Sequence, residues 1–435
     1  MEMTLDERIC GMKMYKLGDL CSDVVDCPHS TPEWKNEGIR VIRNFNIVNG
    51  SLDFSNGFFV DEETFEKRTQ RACPEFEDLV ISREAPMGAV CMIPKNLKCC
   101  LGQRLVLLKI NKELADPNYI LFAIQSQFVQ KQIQIIDQTG SIVSNLNIPD
   151  LKSLRIPLPS LPDQKKIACV LSSLDDKIAL NKKMNQKLEA MAKRLYDYWF
   201  VQFDFPDKNG RPYKTTGGPM TYNPTLKREI PVGWVVRKLE DVLSKLSSGK
   251  RPKGGIDKSL KDGIPSLGAE CIDDLGVFDF KKTPYLPHDF KSQVTTGIIE
   301  DKDIAVYKDG AYVGKTTMFQ DDFPFKFSTV NEHVFLLHCQ DESFEEYLLF
   351  VLKQLEYFSI MQNLGKAKAA QPGLNQEDLM NILILWPSNS VMNAFSKSVK
   401  TLFSQLFSNA KENKKLTALR DKLLPLLMNG QVVVG

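Results

Sequence analysis

The stretch SNLNIPDLKSLRIPLPSLPDQ (144–164) is matched by PGLNQEDLMNILILWPSNSVM (372–392) later in the same chain. When residue 144 is aligned with residue 372, the identical pairs include Leu146/Leu374, Asn147/Asn375, Asp150/Asp378, Leu151/Leu379 and Pro159/Pro387. Self-similarity at a long period indicates a repeated structural unit. The chain therefore contains one unit twice.

The same register continues downstream of this match and loosens upstream of it. Downstream identities include Leu174/Leu402, Asn181/Asn409, Lys183/Lys411, Leu188/Leu416 and Leu195/Leu423. Upstream, YKLGDLCSDV (15–24) resembles RKLEDVLSKL (237–246), and DLVISREAPMGAV (78–90) resembles DIAVYKDGAYVGK (303–315). Two copies that match closely at their ends and diverge at their fronts indicate a shared task for the ends and different tasks for the fronts.

The two fronts, residues 15–160 and 237–387, contain short apolar runs separated by Gly, Pro, Asn and Asp. That pattern predicts short strands joined by turns. One helix-like stretch is predicted in each front, around Pro117–Gln134 and Phe344–Gln362. We therefore expect the α+β class. The predicted divisions are a first domain at 1–160, a central long helix with a connector at 161–215, a second domain at 216–387 and a C-terminal long helix at 388–435.

The two ends, about 163–200 and 391–428, show apolar residues at helical spacing and contain no Gly and no internal Pro before Pro425. A heptad register places one stripe on each helix. The predicted seam consists of Leu171, Leu174, Ile178, Asn181, Asn185, Leu188 and Leu195 on the first helix, and Val399, Leu402, Leu406, Asn409, Asn413, Leu416 and Leu423 on the second.

If these helices pack antiparallel, the asparagines of one stripe face the asparagines of the other. Asn181 then faces Asn413, Asn185 faces Asn409, and most other facing pairs are apolar, with Leu174 against Arg420 as the exception. Buried Asn costs stability but fixes register. The alternative is that each stripe packs only on its own domain. We predict two antiparallel coiled-coil helices of about 37 residues, roughly 55 Å long, which separate two similar domains with pseudo-two-fold symmetry.

Composition narrows the class of protein without identifying it. Hydrophobic residues make up 43% and charged residues 25% of the chain, which are ordinary values for a globular protein. No run approaches the ~18 apolar residues of a membrane span, and the start lacks a signal-like apolar core, so we expect a cytoplasmic protein. The ten cysteines are scattered without zinc spacing, which favours free thiols. A net charge of +2 gives no indication of a nucleic-acid ligand.

The chain resembles the specificity subunit of type I restriction-modification systems over essentially its whole length. The resemblance rests on DLVISREAPMGAV followed by LGQRLVLLKI (101–110), on DIAVYKDGAYVGKTTMF (303–319), on LNIPDLKSLRIPLPSLPDQKKIA (146–168) and on the repeated helices. Two departures are an extra leader at residues 1–14 and LNQEDL in the second copy, which lacks the Ile-Pro of the first.

The resemblance implies two target recognition domains, each reading half of an interrupted sequence in double-stranded DNA. It also implies helices that dock two methyltransferase subunits, with motor-nuclease subunits joining for restriction, in DNA methylation and phage defence. S-adenosylmethionine, ATP and Mg²⁺ would then belong to partner subunits, and this chain would bind no cofactor. Two domains in opposite orientation also suit the approximate dyad of duplex DNA.

Candidate DNA-binding residues lie in loops at corresponding places of the two copies, where Arg, Lys, Gln, Asn and small hydroxyls can contact phosphates or base edges. In the first copy they are His29, Ser30, Thr31, Arg83, Met87, Gln103, Arg104 and Ser141. In the second they are Lys250, Arg251, Lys308, Tyr312, Lys315, Asn331, His333, Lys366 and Lys368. We expect Arg83, Lys308, Tyr312 and Lys315 to be exposed on turns. Ordinary surface turns are the alternative.

No catalytic or metal motif stands out in the sequence. The segment from Gly310 to Thr316 is one residue too short for a phosphate-binding loop and continues like a strand. We expect a non-catalytic subunit of a restriction endonuclease and adenine methyltransferase complex. A non-enzymatic scaffold with duplicated protein-binding domains is the main alternative, and a self-sufficient methyltransferase or nuclease is the second.

Overall fold

The computed structural model divides the chain into two compact units. The first unit comprises residues 1–177 and 416–435, and the second comprises residues 178–415. The structure describes residues 13–139, 145–252, 255–257, 259–268, 273–341, 343–366, 373–432 and 434. Both units mix helices and strands, so the predicted α+β class is confirmed.

The main sheet of the first unit is antiparallel and has the strand order β2-β10-β7-β8. Its strands are β2 (Cys21–Asp26), β7 (Leu79–Ser82), β8 (Val90–Met92) and β10 (Leu105–Ile110). The segments LVIS of β7 and LVLLKI of β10 are almost entirely buried, because central strands covered on both faces need continuous apolar runs.

A second sheet in the same unit has the order β6-β3-β9, from β3 (Ile39–Ile42), β6 (Phe58–Val60) and β9 (Cys99–Leu101). Strands β3 and β9 are parallel, with Ile42 opposite Leu101, so both end at the same edge. Two small pairs complete the unit: β1 (Met14–Lys16) with β11 (Arg155–Pro157), and β4 (Ile47–Val48) with β5 (Ser51–Leu52).

The short helices of the first unit begin at side-chain caps. The helix Glu62–Thr69 is capped by Asp61, and Ile148–Ser153 is capped by Asn147, whose Oδ1 accepts the Asp150 N–H at 2.8 Å. The prediction of a single helix around Pro117–Gln134 is wrong. This stretch forms two helices, Pro117–Gln125 and Gln127–Thr139, because the backbone of the intervening Ser126 is extended.

The second unit repeats this topology with its own strands. The strands are β12 (Met220–Asn223), β13 (Arg228–Pro231), β14 (Val235–Lys238), β15 (Leu243–Ser248), β16 (Ile264–Leu267), β17 (Tyr285–Leu286), β18 (Ile304–Tyr307), β19 (Thr316–Met318), β20 (Thr329–Val330), β21 (Val334–Cys339) and β22 (Leu383–Trp386). The main sheet has the order β15-β21-β18-β19, and the second sheet has the order β17-β16-β20 with β16 parallel to β20. Strands β12 and β13 form a pair, and β14 pairs with β22 as β1 does with β11.

The helices of the second unit follow the same plan. The stretch predicted as one helix around Phe344–Gln362 is two, Glu345–Leu352 and Leu355–Lys366. The helix Gln376–Met380 is capped by Asn375, whose Oδ1 accepts the Asp378 N–H at 2.7 Å. The repeated Leu-Asn motif of the sequence is therefore a repeated helix start.

Two long helices, Leu161–Tyr196 and Asn389–Met428, contribute residues to both units. Within the second unit, Asn181 Nδ2 donates to Asn413 Oδ1 at 3.0 Å, and Asn409 Nδ2 donates to Asn185 Oδ1 at 2.9 Å. The predicted antiparallel pairing is confirmed by these contacts. All the predicted seam residues are buried or partly buried.

The one mismatched pair of the predicted seam has a local solution in the first unit. Arg420 turns to Asp175, with an Nη1–Oδ1 distance of 2.9 Å, and to Asp421 at 2.7 Å. The guanidinium therefore keeps charged partners although it lies in an otherwise apolar stripe.

The second long helix also packs into the core of the second unit. Phe395, Phe403 and Phe407 are almost completely buried there, so packing on the helix's own domain coexists with helix pairing. The eight cysteines among the described residues are free thiols. In the part of the chain that the structure describes, no helix combines the length and apolar character needed to cross a membrane.

Candidate nucleic-acid interface

Three segments meet behind the turn that follows β7 in the first unit. The Arg83 N–H donates to Arg104 O at 2.8 Å, and the Leu146 N–H donates to Arg83 O at 3.0 Å. The turn after β7, the start of β10 and the Leu-Asn motif are thus joined by backbone hydrogen bonds.

The second unit has the same backbone frame behind the turn that follows β18. The Lys308 N–H donates to His333 O at 3.1 Å, and the Leu374 N–H donates to Lys308 O at 2.6 Å. Arg83 therefore corresponds to Lys308, and Arg104 corresponds to His333. The sequence match of residues 78–90 with residues 303–315 already pairs Arg83 with Lys308, and the backbone hydrogen bonds add the pairing of Arg104 with His333.

The side chains on the two equivalent frames differ in chemistry. Arg83 Nη1 bonds both carboxylate oxygens of Asp26, at 3.0 and 2.9 Å, at the end of β2. Lys308 Nζ instead lies 3.4 Å from Ser248 Oγ, at the end of β15, and 4.8 Å from the centre of the Phe335 ring. The same backbone frame thus carries the Arg83–Asp26 ion pair in the first unit and, in the second, Lys308 beside a serine in place of the carboxylate.

The prediction that Arg83 is exposed is wrong. Its side chain is only 11% exposed, since it pairs with Asp26 and its Nε also donates to Leu146 O at 2.9 Å. Arg83 therefore holds the turn together. Met87, in the same turn, is partly buried against the core.

The turn at Pro28–Thr31 is held by residues from elsewhere in the chain. Arg68, which is buried, donates to Ser30 O at 2.9 Å and to Leu101 O at 2.8 Å. Gln103 donates its amide to Thr31 Oγ1 at 3.0 Å and to His29 O. His29 itself is exposed, with Nε2 3.2 Å from Asp26 Oδ2.

Arg104, which directly precedes β10, is accessible to solvent, unlike Arg83. Its side chain is 55% exposed and pairs with Glu84 at 2.9 Å. Its backbone φ of 68° lies in the left-handed region, which is uncommon for a residue with a side chain and often marks a functional site.

In the second unit, Arg251 and His333 converge on Glu332. Arg251 Nη2 lies 2.5 Å and His333 Nε2 lies 3.2 Å from Glu332 Oε1, while His333 Nδ1 lies 2.8 Å from Asp309 Oδ2. Asn331 is only 7% exposed, and its Oδ1 accepts the His333 N–H at 2.9 Å. Asn331 therefore shapes the turn, and its amide is not presented to a ligand as predicted.

Three of the other predicted residues of the second unit are accessible: Lys250 and Lys366 are exposed, and Tyr312 is 60% exposed. The prediction that Lys308 and Lys315 are exposed is wrong, because both are partly buried and Lys315 Nζ pairs with Asp273 Oδ1 at 2.7 Å. Ser141 and Lys368 lie outside the described residues. Contact of any of these side chains with DNA stays a prediction.

Sequence reasoning missed several residues that build these loops. Asp26, Arg68, Ser248 and Asp309 hold predicted residues in place by long-range contacts. Arg43, which directly follows β3, was also missed. No local motif marks any of them, because their partners lie far away in the sequence.

Comparisons with known proteins agree with this architecture. A family model for the type I restriction modification DNA specificity domain matches residues 10–190. The type I restriction enzyme MjaIX specificity subunit of Methanocaldococcus jannaschii is 28% identical over 386 residues, covering 86% of this chain and 82% of the relative. The HindI specificity subunit of Haemophilus influenzae is 26% identical over 379 residues, covering 76% and 81%.

Among solved structures, the S subunit of the type I restriction-modification system from M. genitalium is similar. The structural alignment covers 96% of this chain and 96% of that subunit, with a TM-score of 0.57 and 17% sequence identity. At that identity the likeness concerns the fold.

Proposed function

We propose that this chain, whose residues 10–190 belong to the type I restriction modification DNA specificity domain family, reads DNA sequence for a multi-subunit complex and catalyses no reaction itself. The observation that carries the proposal is the duplicated backbone frame with different side chains on it. Arg83 with Asp26 in the first unit corresponds to Lys308 with Ser248 in the second. A repeated scaffold that varies its loop chemistry suits two related but different ligands.

The two ligands are the two halves of one interrupted DNA sequence. Residues 1–160 form the first target recognition domain and residues 216–387 the second, and loop residues contact phosphates and base edges. Arg104 in the first domain and Lys250, Tyr312 and Lys366 in the second are accessible enough for this role.

The long helices set the number of base pairs between the half-sites and dock two methyltransferase subunits. Support for docking comes from an apolar stripe on the first long helix and on the helical turn Asp197–Val201 that continues it. Leu180, Met184, Met191 and Tyr198 recur at helical spacing and are 54%, 38%, 52% and 37% exposed. Contiguous exposed apolar residues are typical of interaction surfaces.

In this scheme the chemistry belongs to other subunits of a cytoplasmic complex. The methyltransferase subunits bind S-adenosylmethionine, and motor-nuclease subunits bind ATP and Mg²⁺. This chain determines which DNA sequence the complex binds.

The test is binding of the purified full chain, with any co-purifying subunits, to a randomised duplex library at several salt concentrations. We expect enrichment of one interrupted motif and an affinity that falls steeply with salt, because phosphate contacts release counterions. Equal binding of all duplexes without salt dependence would favour the alternative of a protein-binding scaffold. Methylation or cleavage by this chain alone would contradict a non-catalytic subunit.

A further inference from the structure

Arg43 lies at the same edge of the first unit as the candidate DNA-binding loops. It follows the last residue of β3, and the parallel neighbour β9 leads at the same edge to Gln103 and Arg104. The Gly102 N–H donates to Ile42 O at 2.7 Å. Asn44, next in sequence, donates its side-chain amide to Ala85 O at 2.7 Å in the turn after β7.

The guanidinium of Arg43 is surrounded by aromatic rings. Its central carbon lies 4.7 Å from the ring centre of Phe58, 5.0 Å from that of Phe45 and 5.5 Å from that of Trp34. Phe45 is 40% exposed, so the cluster reaches solvent. Rings satisfy the faces of a guanidinium and leave the N–H groups at its rim for acceptors in its own plane.

The other arginines of the loops are already paired with acids. Arg83 pairs with Asp26, Arg104 with Glu84, and Arg251 with Glu332. Within the described ranges, no ion pair joins Arg43 to a carboxylate, and its planar donor set is held by apolar surface. A ligand with two acceptors in one plane can bind Arg43 without displacing an acid.

The backbone of Arg43 is fixed by a buried asparagine. Asn46 Oδ1 accepts the Arg43 N–H at 3.0 Å, and Asn46 Nδ2 donates to Asp53 O at 2.8 Å and to Asn56 O at 3.1 Å. Asn46 is only 4% exposed. Because the turn is tied at three points, little freedom of the main chain is left to lose on binding.

The second unit has no side chain at the equivalent place. The Asn331 N–H donates to Leu267 O at 2.9 Å, as the Gly102 N–H does to Ile42 O. Leu267 is followed by Gly268, where the first unit has Arg43. The feature is thus specific to the first unit, as expected of a residue that makes one half-site different from the other.

We propose that Arg43 is a specificity-determining residue of the first domain, bonding one guanine edge in the major groove. The proposal rests on the proposed function of the chain. Guanine presents O6 and N7 as two coplanar acceptors, which match a planar guanidinium.

The experiment compares the motif selected from a randomised duplex library by the wild-type full chain and by Arg43→Lys, Arg43→Gln and Arg43→Ala. We expect Arg43→Gln and Arg43→Ala to lose discrimination for one G·C pair in one half-site, by roughly 5- to 150-fold, and to keep the rest of the motif. Arg43→Lys should lose less, because an ammonium still donates to guanine but without the planar fork. Melting temperature, measured alongside, shows whether each variant is folded.

Arg40→Ala is the matched control, because Arg40 also lies between two rings, Phe54 at 4.6 Å and Phe59 at 5.0 Å, but within the strand. It should leave the motif unchanged. Three results would overturn the proposal: an unchanged motif in folded Arg43→Ala, a uniform loss of affinity that indicates a phosphate contact, or the same relaxation in Arg40→Ala. A wild-type chain that selects no motif would instead refute the proposed function.

Discussion

At the scale of single residues, Glu345 of the second unit carries a carboxyl group buried without compensation in the described part of the chain. It is completely buried, and neither carboxylate oxygen has a hydrogen-bond partner among the described residues. The adjacent Glu346 is compensated, since its Oε1 lies 3.0 Å from Lys302 Nζ and its Oε2 accepts from Ser396 Oγ at 3.0 Å. Burial raises the pKa of the Glu345 carboxyl from 4.5 to about 7.

This raised pKa predicts a loss of stability as pH rises from 4.5 to about 7, because the folded chain holds a proton that the unfolded chain releases in that window. Glu345→Gln removes the ionisation, so its free energy of unfolding should exceed the wild-type value by about 1–3 kcal/mol at pH 8. The excess should shrink towards pH 4.5.

Urea unfolding at several pH values measures this difference. Burial also raises the pKa of Asp303, to about 6, so some pH dependence persists in the variant. Glu356→Gln, at an exposed position, is the control and should change little. An equal difference between Glu345→Gln and wild type at pH 5 and pH 8 would rule out the explanation.

Arg83 provides a second residue-scale prediction. Arg83→Lys keeps the charge but loses the set of bonds to Asp26 and Leu146, so the free energy of unfolding should fall by about 1–3 kcal/mol. Arg71→Lys, at an exposed site, is the matched control. If calorimetry finds the two variants equally stable, Arg83 does not brace the turn.

These residues also show where sequence reasoning ends. The motif around Arg83 was correctly located on a turn after a strand, but its exposure was not, because Asp26 and Leu146 come from distant segments. Arg43 carried no local signal. Its importance appears only when three rings from separate positions surround it.

At the scale of elements, the paired asparagines of the long helices are the most direct test of register. Asn185 and Asn409 bond to each other, and Asn185 also donates to Leu406 O at 3.0 Å. Replacing one of them leaves a buried amide without its hydrogen-bond partner, which lowers the free energy of unfolding by about 1–3 kcal/mol. Replacing both leaves no unpaired amide in the pair.

We therefore expect Asn185→Leu and Asn409→Leu to be individually destabilising and the double variant to recover most of the loss. A double-mutant cycle from urea unfolding measures the coupling, with Gln186→Leu on the exposed face as the control for added apolar surface. Additive losses would mean that the two amides do not act as a pair.

The type of an element was predictable where the spacing of its apolar residues kept one period along the whole element. The heptad stripes and matching Asn positions gave the helix pairing, and the Leu-Asn motif marked repeated helix starts at Asn147 and Asn375. The break at Ser126 was missed because apolar spacing continues across it. Short helices on either side of an extended residue look like one helix in the sequence.

At the scale of the whole molecule, the duplication is more informative than charge. A net charge of +2 gave no sign of a DNA ligand, whereas two copies of one strand order point to two related tasks. Which bases are read does not follow from the fold, since side chains at equivalent positions, such as Arg43 and Gly268, differ.

The proposed role of the helices predicts a change in the target. Inserting four residues, about one turn, into both long helices should lengthen the gap between half-sites and leave the half-sites themselves unchanged. Four substitutions at exposed helix positions without insertion are the control. Selection from a randomised duplex library reads the gap, and an unchanged gap in a folded insertion variant would show that the helices do not set it.

If this chain determines where a complex acts on DNA, methylation in the host must depend on it. Genome-wide methylation mapping in a host that expresses the partner subunits with and without this chain measures that dependence. We expect adenine methylation at one interrupted motif, present only with the chain and altered in one half-site by Arg43→Ala. The same methylated motif without the chain would contradict this dependence.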